Sequence, residues 1–310
     1  MTSGRDPARG LPAGHGGRSI VLNGNMLGMS SMMMWAAGFP AAEVLLQTWP
    51  PLTLISARLA VAVSFMMAIW LWVDGHRQVL AADWVRALWV GGLGIGVGTY
   101  LMLLAQSLTD AVTVALIASC APLVGAVLEL FAGTRRLDWR FALGVIASIA
   151  GGAVATSALE PTQIGLGALC ALGAVVLFTW ASMATARDFP ALSDIGRGTI
   201  TLAGGMVTMT AIFVIGFAVG LDLMPRAAVD SGQVGMLLIY ACLAMGISQV
   251  LFVASIGKLG VTVASFHINI APFYVMVIML VLGASWNWTQ AFGAGIVAMG
   301  VVLAQSRQRT

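Results

Sequence analysis

The stretch AQSLTDAVTVA at residues 105–115 returns as ASIGKLGVTVA at 254–264, a constant shift of 149 positions. Further on, Ala121-Pro122 matches Ala271-Pro272 after a one-residue slip. Trp139, Gly144 and Gly151 then match Trp288, Gly293 and Gly300 with the shift of 149 restored. More weakly, Ile55 to Arg58 resembles Ile195 to Arg197. The second half of the chain repeats the first. Both copies are built from blocks of roughly twenty apolar residues, the length a helix needs to cross ~30 Å of hydrocarbon.

Ten such blocks can be placed, near 24–46, 53–73, 86–106, 111–132, 141–158, 164–184, 198–219, 234–255, 261–282 and 288–305. Short polar segments separate them, such as Gln47 to Pro51 and Asp74 to Arg77. Five crossings per copy is an odd number, so the copies must face opposite ways, the inverted-repeat construction of many secondary transporters. The expected fold is an all-α polytopic membrane protein, with ten transmembrane helices as two inverted five-helix repeats around a central cavity. Residues 23–158 form the first repeat and 159–306 the second. Residues 1–22, rich in Gly, Pro and Arg without an apolar centre, read as a disordered cytoplasmic tail rather than a cleaved leader.

Composition agrees. Of 310 residues, 59% are hydrophobic and 9% charged, with a mean hydropathy of +0.95, whereas a soluble domain carries roughly a quarter of its residues as charges. That excludes an ordinary soluble protein, a disordered chain and a nucleic-acid binder. Continuous apolar blocks also argue against a β-barrel, whose strands alternate polar and apolar residues. Cys120, Cys170 and Cys242 each lie inside an apolar block and form no C-x-x-C pair, so they read as small filler. No phosphate-binding loop of the G-x-x-x-x-G-K-[ST] type occurs. No cofactor or metal site is expected.

With the tail in the cytoplasm and ten crossings, the cytoplasmic segments hold 13 of the 15 Lys and Arg residues. Arg226 falls on the opposite side and Arg58 inside the second block. Basic residues concentrate on the cytoplasmic side of membrane proteins, so both termini are expected there, in a bacterial inner membrane.

Met33 to Phe39 (MMWAAGF) resembles the Trp-Gly opening of EamA-type members of the drug/metabolite transporter superfamily. Arg58 near the start of the second block fits the same pattern. So do Tyr100 with Ala105 before Ala121-Pro122, and Ala254 before Ala271-Pro272. Ala36 stands where that family often has Gly, and Gln249 stands where the first copy has Tyr100. The resemblance covers nearly the whole chain after residue 22. It implies ten helices in two inverted repeats with the fifth and tenth peripheral, and export of metabolites, amino acids or drugs.

Candidate site residues follow from the cost of polarity in lipid. Pro122 and Pro272 fall near the middle of their blocks, where proline removes a helical hydrogen bond and frees the carbonyls of Ala118 and Ile268. A freed carbonyl must face protein or a wet cavity. Ser119 and Asn269 each stand three residues before their proline, so both breaks are expected to face one cavity. His267 is a rare intramembrane imidazole that can bind substrate or exchange a proton near neutral pH; a neutral histidine bonded to a neighbouring helix is the other reading. Trp35, Tyr100, Trp180, Gln249 and Tyr274 are further candidates for the lining, with packing or interfacial anchoring equally open for the aromatics. Glu43 and Arg58 are expected to pair as an outer gate, because burying either charge alone is expensive. Gly144 with Gly151, and Gly293 with Gly300, read as helix-packing seams.

The expected function is a secondary transporter working by alternating access, with a small-molecule substrate, the lipid bilayer and candidate coupling protons as its partners. A channel or passive facilitator is the alternative, though no ring of charge or filter sequence is visible. A membrane enzyme acting on lipid-linked substrates ranks third, because His15, His76 and His267 are scattered and no carboxylate cluster accompanies them. The sequence leaves substrate, coupling and number of subunits open.

Overall fold

The computed structural model describes residues 15–131, 139–155, 161–259, 264 and 266–305. The described residues are mostly helical, without strands. Helix α1 is His15–Leu46 and α2 is Pro51–Ala81. Then come α3 (Trp84–Leu108), α4 (Ala111–Phe131), α5 (Trp139–Ala155), α6 (Pro161–Asp188), α7 (Asp194–Ala218) and α8 (Ser231–Leu259). Helix α9 is a 3-10 turn, Phe266–Ile270, running into Ala271–Val281, and α10 is Trp288–Gln305.

Six of these, α2, α3, α4, α6, α7 and α8, are long and apolar enough to cross a membrane. The apolar parts of α5, α9 and α10 are shorter. At 1.5 Å per residue, the 17 residues of α5 reach only ~25 Å. Helix α1 starts at His15, so its first turns take residues 15–22, which the sequence reading gave to the tail. Residues 1–14 lie outside the described residues, as do 132–138, 156–160, 260–263, 265 and 306–310. The repeated Val261-Thr262-Val263 and the basic Arg5, Arg9, Arg135, Arg136, Arg307 and Arg309 are among them.

Local chemistry sets the helix ends. Asp83, Asp110, Ser193 and Asp230 are N-caps whose side chains accept from the backbone N–H groups of the first turn, satisfying donors that a helix start leaves orphaned. Pro51 opens α2, where no N–H is needed. Gly75 has φ +79, which interrupts α2 inside the polar segment that the sequence marked as its end. Gly220 and Gly283 also take positive φ, and each closes a helix: Leu221 N donates to Gly216 O (3.0 Å) and Ala284 N to Met279 O (2.9 Å).

Apolar side chains such as Trp72, Val85, Phe131 and Val281 are more than three-quarters exposed. In water such a surface would aggregate; against acyl chains it costs nothing. Three buried clusters lie inside. One joins α1, α4, α5, α9 and α10 around Leu116 and Val297. Another joins α1, α2, α3, α7 and α8 around Leu59 and Tyr240. The smallest centres on Trp70, Val90 and Ile200.

Close backbone approach holds the pairs together. A β-carbon on Gly151 would stand 2.7 Å from Gly293 O, and one on Gly300 would stand 2.7 Å from Gly144 O. Helices α5 and α10 are thus in antiparallel backbone contact. Similarly, α3 rests on α7 through Gly91 against Thr201 and Gly96 against Gly205. Both α3 and α8 carry a π-helical stretch, Val90–Val97 and Ile239–Ile247. These begin 149 positions apart, the shift found in the sequence.

Candidate functional site

The two Ala-Pro positions are true interruptions. In α4 the first half ends at Ala118, where Ser119 N donates to Ala115 O (3.0 Å) and Cys120 N tightens onto Ile117 O (3.0 Å). The second half restarts at Ala121, with Pro122 as its second residue. In α9 the 3-10 turn gives way at Ala271, with Pro272 in the first turn of the new helix. Proline sits here where a helix start needs no N–H, and the break is made by the residues before it.

Those residues carry the polarity. Ser119 is buried and its hydroxyl donates to Leu116 O at 2.6 Å. Asn269 is 6% exposed, and neither its amide nitrogen nor its amide oxygen has a partner among the described residues. His267 is buried, with Nδ1 3.1 Å from Ala264 O. Its ring lies against Gly28 of α1, where a β-carbon would come within 2.7 Å of Nδ1. The imidazole is thus held by its own backbone and by a glycine-shaped recess, leaving Nε2 for another group.

The aromatic candidates separate. Half-buried Trp35 stands edge-on to Phe39 at 4.9 Å and shares the first cluster with Tyr274. Tyr100 belongs to the second cluster. Trp180 joins the third and stands edge-on to Trp89 at 6.2 Å. Gln249 is exposed beside Gly198 of α7. The eight candidates therefore do not converge on one described pocket.

Glu43 and Arg58 do not form the expected pair. Glu43 Oε2 accepts from Ala111 N at the start of α4 (3.2 Å), beside the capping Asp110. Arg58 turns the other way. Its Nε donates to Tyr240 O (3.0 Å), and its guanidinium carbon lies 3.6 Å from the centre of the Tyr240 ring. The physical reason is that each group found a nearer partial charge of opposite sign. For Glu43 this is the N-terminal end of a helix dipole; for Arg58 it is a carbonyl and an aromatic face. Tyr240 is a residue that sequence reasoning missed. Its repeat position is Gly91, so the alignment gave no hint of an aromatic partner.

A cleft of about 180 Å³ opens between the end of α1, the start of α4 and the α9–α10 connection. Glu43, Asp110, Trp286, Asn287 and Gln290 line it. Gln290 Nε2 reaches Asp110 Oδ1 at 3.4 Å, and Trp286 Nε1 is buried without a partner among the described residues. Ser119, His267 and Asn269 are not part of its lining. Among the described residues, no group of three His, Cys, Asp or Glu side chains is arranged to hold a metal.

An apolar helical surface, glycine-seamed helix pairs and six helices long and apolar enough to cross a bilayer define a multi-pass membrane protein. Residues 22–157 match the model of the EamA-like transporter family, which belongs to the drug/metabolite transporter superfamily. A solved crystal structure of a protein 18% identical in sequence superposes with a TM-score of 0.67, over 92% of this chain and 98% of its own, and so shares the fold. None of the curated proteins compared matches the chain.

Proposed function

We propose that the chain is a secondary transporter that exports small metabolites, such as amino acids or drugs, across a bacterial cytoplasmic membrane. Two inverted five-helix repeats alternate access to a cavity between them, and both termini are cytoplasmic. The observation that carries this reading is the α5–α10 seam. Under the shift of 149, Gly144 is equivalent to Gly293 and Gly151 to Gly300. The contacts exchange these equivalents, because Gly144 meets Gly300 while Gly151 meets Gly293. A two-fold relation between the copies would require that exchange, and chance packing of glycines would not. The matched π-helical stretches and the matched breaks before Pro122 and Pro272 support the same relation.

Transport uses the breaks. Ser119, His267 and Asn269 offer polar groups beside interrupted backbone, where a substrate can replace hydration without opening a water path through the bundle. Trp35 and Tyr274 supply apolar contact, and Tyr100 and Gln249 act nearer the two faces. His267 is the candidate for proton coupling. Lipid surrounds the apolar exterior.

Purified protein in proteoliposomes tests the reading. Vesicles loaded with one unlabelled metabolite at a time are diluted into its labelled form, at two pH values. A carrier gives saturable counterflow with at least one compound. Flux that never saturates would instead indicate a channel, and turnover of a lipid-linked substrate without flux would indicate an enzyme.

A further inference from the structure

Arg58 is a cation whose charge no described neighbour cancels. It lies seven residues into α2, ~10 Å along the helix at 1.5 Å per residue, and is 7% exposed. Its two contacts, the Tyr240 carbonyl and the Tyr240 ring, are both neutral. Among the described residues the ion pairs are Arg86–Asp83, Arg187–Asp188 and Arg197–Asp194, so no carboxylate lies within 4.0 Å of Arg58. The nearest acids by sequence are committed elsewhere: Glu43 accepts from Ala111 N, and Asp74 accepts from the Ser193 hydroxyl. Arg197, which resembles Arg58 in the second copy, stands half-buried with Asp194 at 3.5 Å and two carbonyls. The contrast is between a neutralised arginine and an uncompensated one.

The terminal nitrogens of Arg58 make no hydrogen bond to any described residue. They are also not sealed, since the fully buried polar atoms without partners belong to Trp70, Gln78, Ser148, Asn269 and Trp286. Tyr240 thus holds the guanidinium by its Nε edge and its face, and leaves the two-nitrogen fork without a carboxylate partner among the described residues. A desolvated cation without a counter-charge is costly in a membrane protein, and this fork is shaped to take both oxygens of a carboxylate.

We propose that Arg58 binds the carboxylate of the transported substrate, with Tyr240 as its positioning residue, so that the substrate class is organic acids and amino acids rather than amines or neutral drugs. The inference rests on the transporter reading and names the substrate for it. Binding and flux are therefore measured separately. Detergent-purified full-length protein is titrated at fixed ionic strength with acetate, leucine and 3-phenylpropionate, then with phenethylamine and chloride, while the unfolding temperature is followed. At least one carboxylate raises it saturably, and the amine and chloride do not. Arg58→Gln weakens that binding at least ~tenfold, the loss expected when a charge-assisted pair disappears. Arg58→Lys, which keeps the charge and loses the fork, falls between. No response to any of the three carboxylates overturns the proposal, as does an equal response to phenethylamine or chloride, or an unchanged titration in Arg58→Gln. Should Arg58→Gln not fold, Arg58→Lys carries the test, and unaltered carboxylate affinity in it counts as the overturning result. Counterflow of some other compound without carboxylate binding would leave the transporter reading standing and remove this one.

Discussion

At the scale of the residue, the cost of an unpartnered polar group separates structural positions from functional ones. Asn269 buries both ends of its amide without a partner among the described residues, which costs roughly 1–3 kcal/mol per group. Replacing it with leucine removes that cost. Asn269→Leu is expected to leave thermal stability unchanged or raised while lowering counterflow at least several-fold. A loss of both would make Asn269 a packing residue only. Asp110 behaves in the opposite way, because its short contacts are local and its one distant donor, Gln290 Nε2, stands at 3.4 Å. Its carboxylate accepts from Val112 N and Thr113 N, both at 2.9 Å, and from the Thr113 hydroxyl at 2.6 Å. Asp110→Ala should destabilise by about 1 kcal/mol, seen as a lower unfolding temperature, and Asp110→Asn should recover most of it.

At the scale of the element, the glycines divide by what a side chain would meet. On α10, Gly300 has Gly144 O, Ser148 Oγ and Ser148 N within about 3 Å of the place a β-carbon would take, whereas Gly295 has nothing within 4 Å. Gly300→Ala should push α5 and α10 apart at a cost of roughly 1–3 kcal/mol. Gly295→Ala should be neutral or stabilising by up to ~1 kcal/mol. Thermal unfolding of the two variants side by side checks the seam, and equal effects would deny it. The same distinction bears on α3, where the contacts of Gly91 and Gly96 with α7 leave no space for side chains. Its counterpart α8 carries Tyr240 and Met245 at those repeat positions. Two elements at matching positions of the sequence repeat therefore pack differently, one backbone to backbone and the other through Arg58 and Tyr240.

At the scale of the whole molecule, the distribution of basic residues argues for one orientation. The α9–α10 connection, with Ser285, should face away from the cytoplasm, and Arg187 at the end of α6 should face into it. In a background lacking Cys120, Cys170 and Cys242, Ser285→Cys should react with an impermeant thiol reagent added to intact cells. Arg187→Cys should react only after the membrane is opened, and the reverse pattern would invert the assignment.

The sequence by itself determined the class of molecule and the positions of its helices. Length and hydropathy of a block are set by bilayer thickness, a constraint each segment meets alone. The repeat and the polar break at Asp74 to Arg77 were legible for the same reason, since each is read directly along the chain. Only the tertiary structure decided partners. Glu43 and Arg58 are neighbours across a short connection, yet Glu43 was drawn to the start of α4 and Arg58 to Tyr240, 182 residues away. Which opposite partial charge lies nearest in space is fixed by how helices pack, and packing depends on every small residue along a seam at once. That collective dependence is why the aromatic candidates looked like one lining in sequence and fell into three clusters in space.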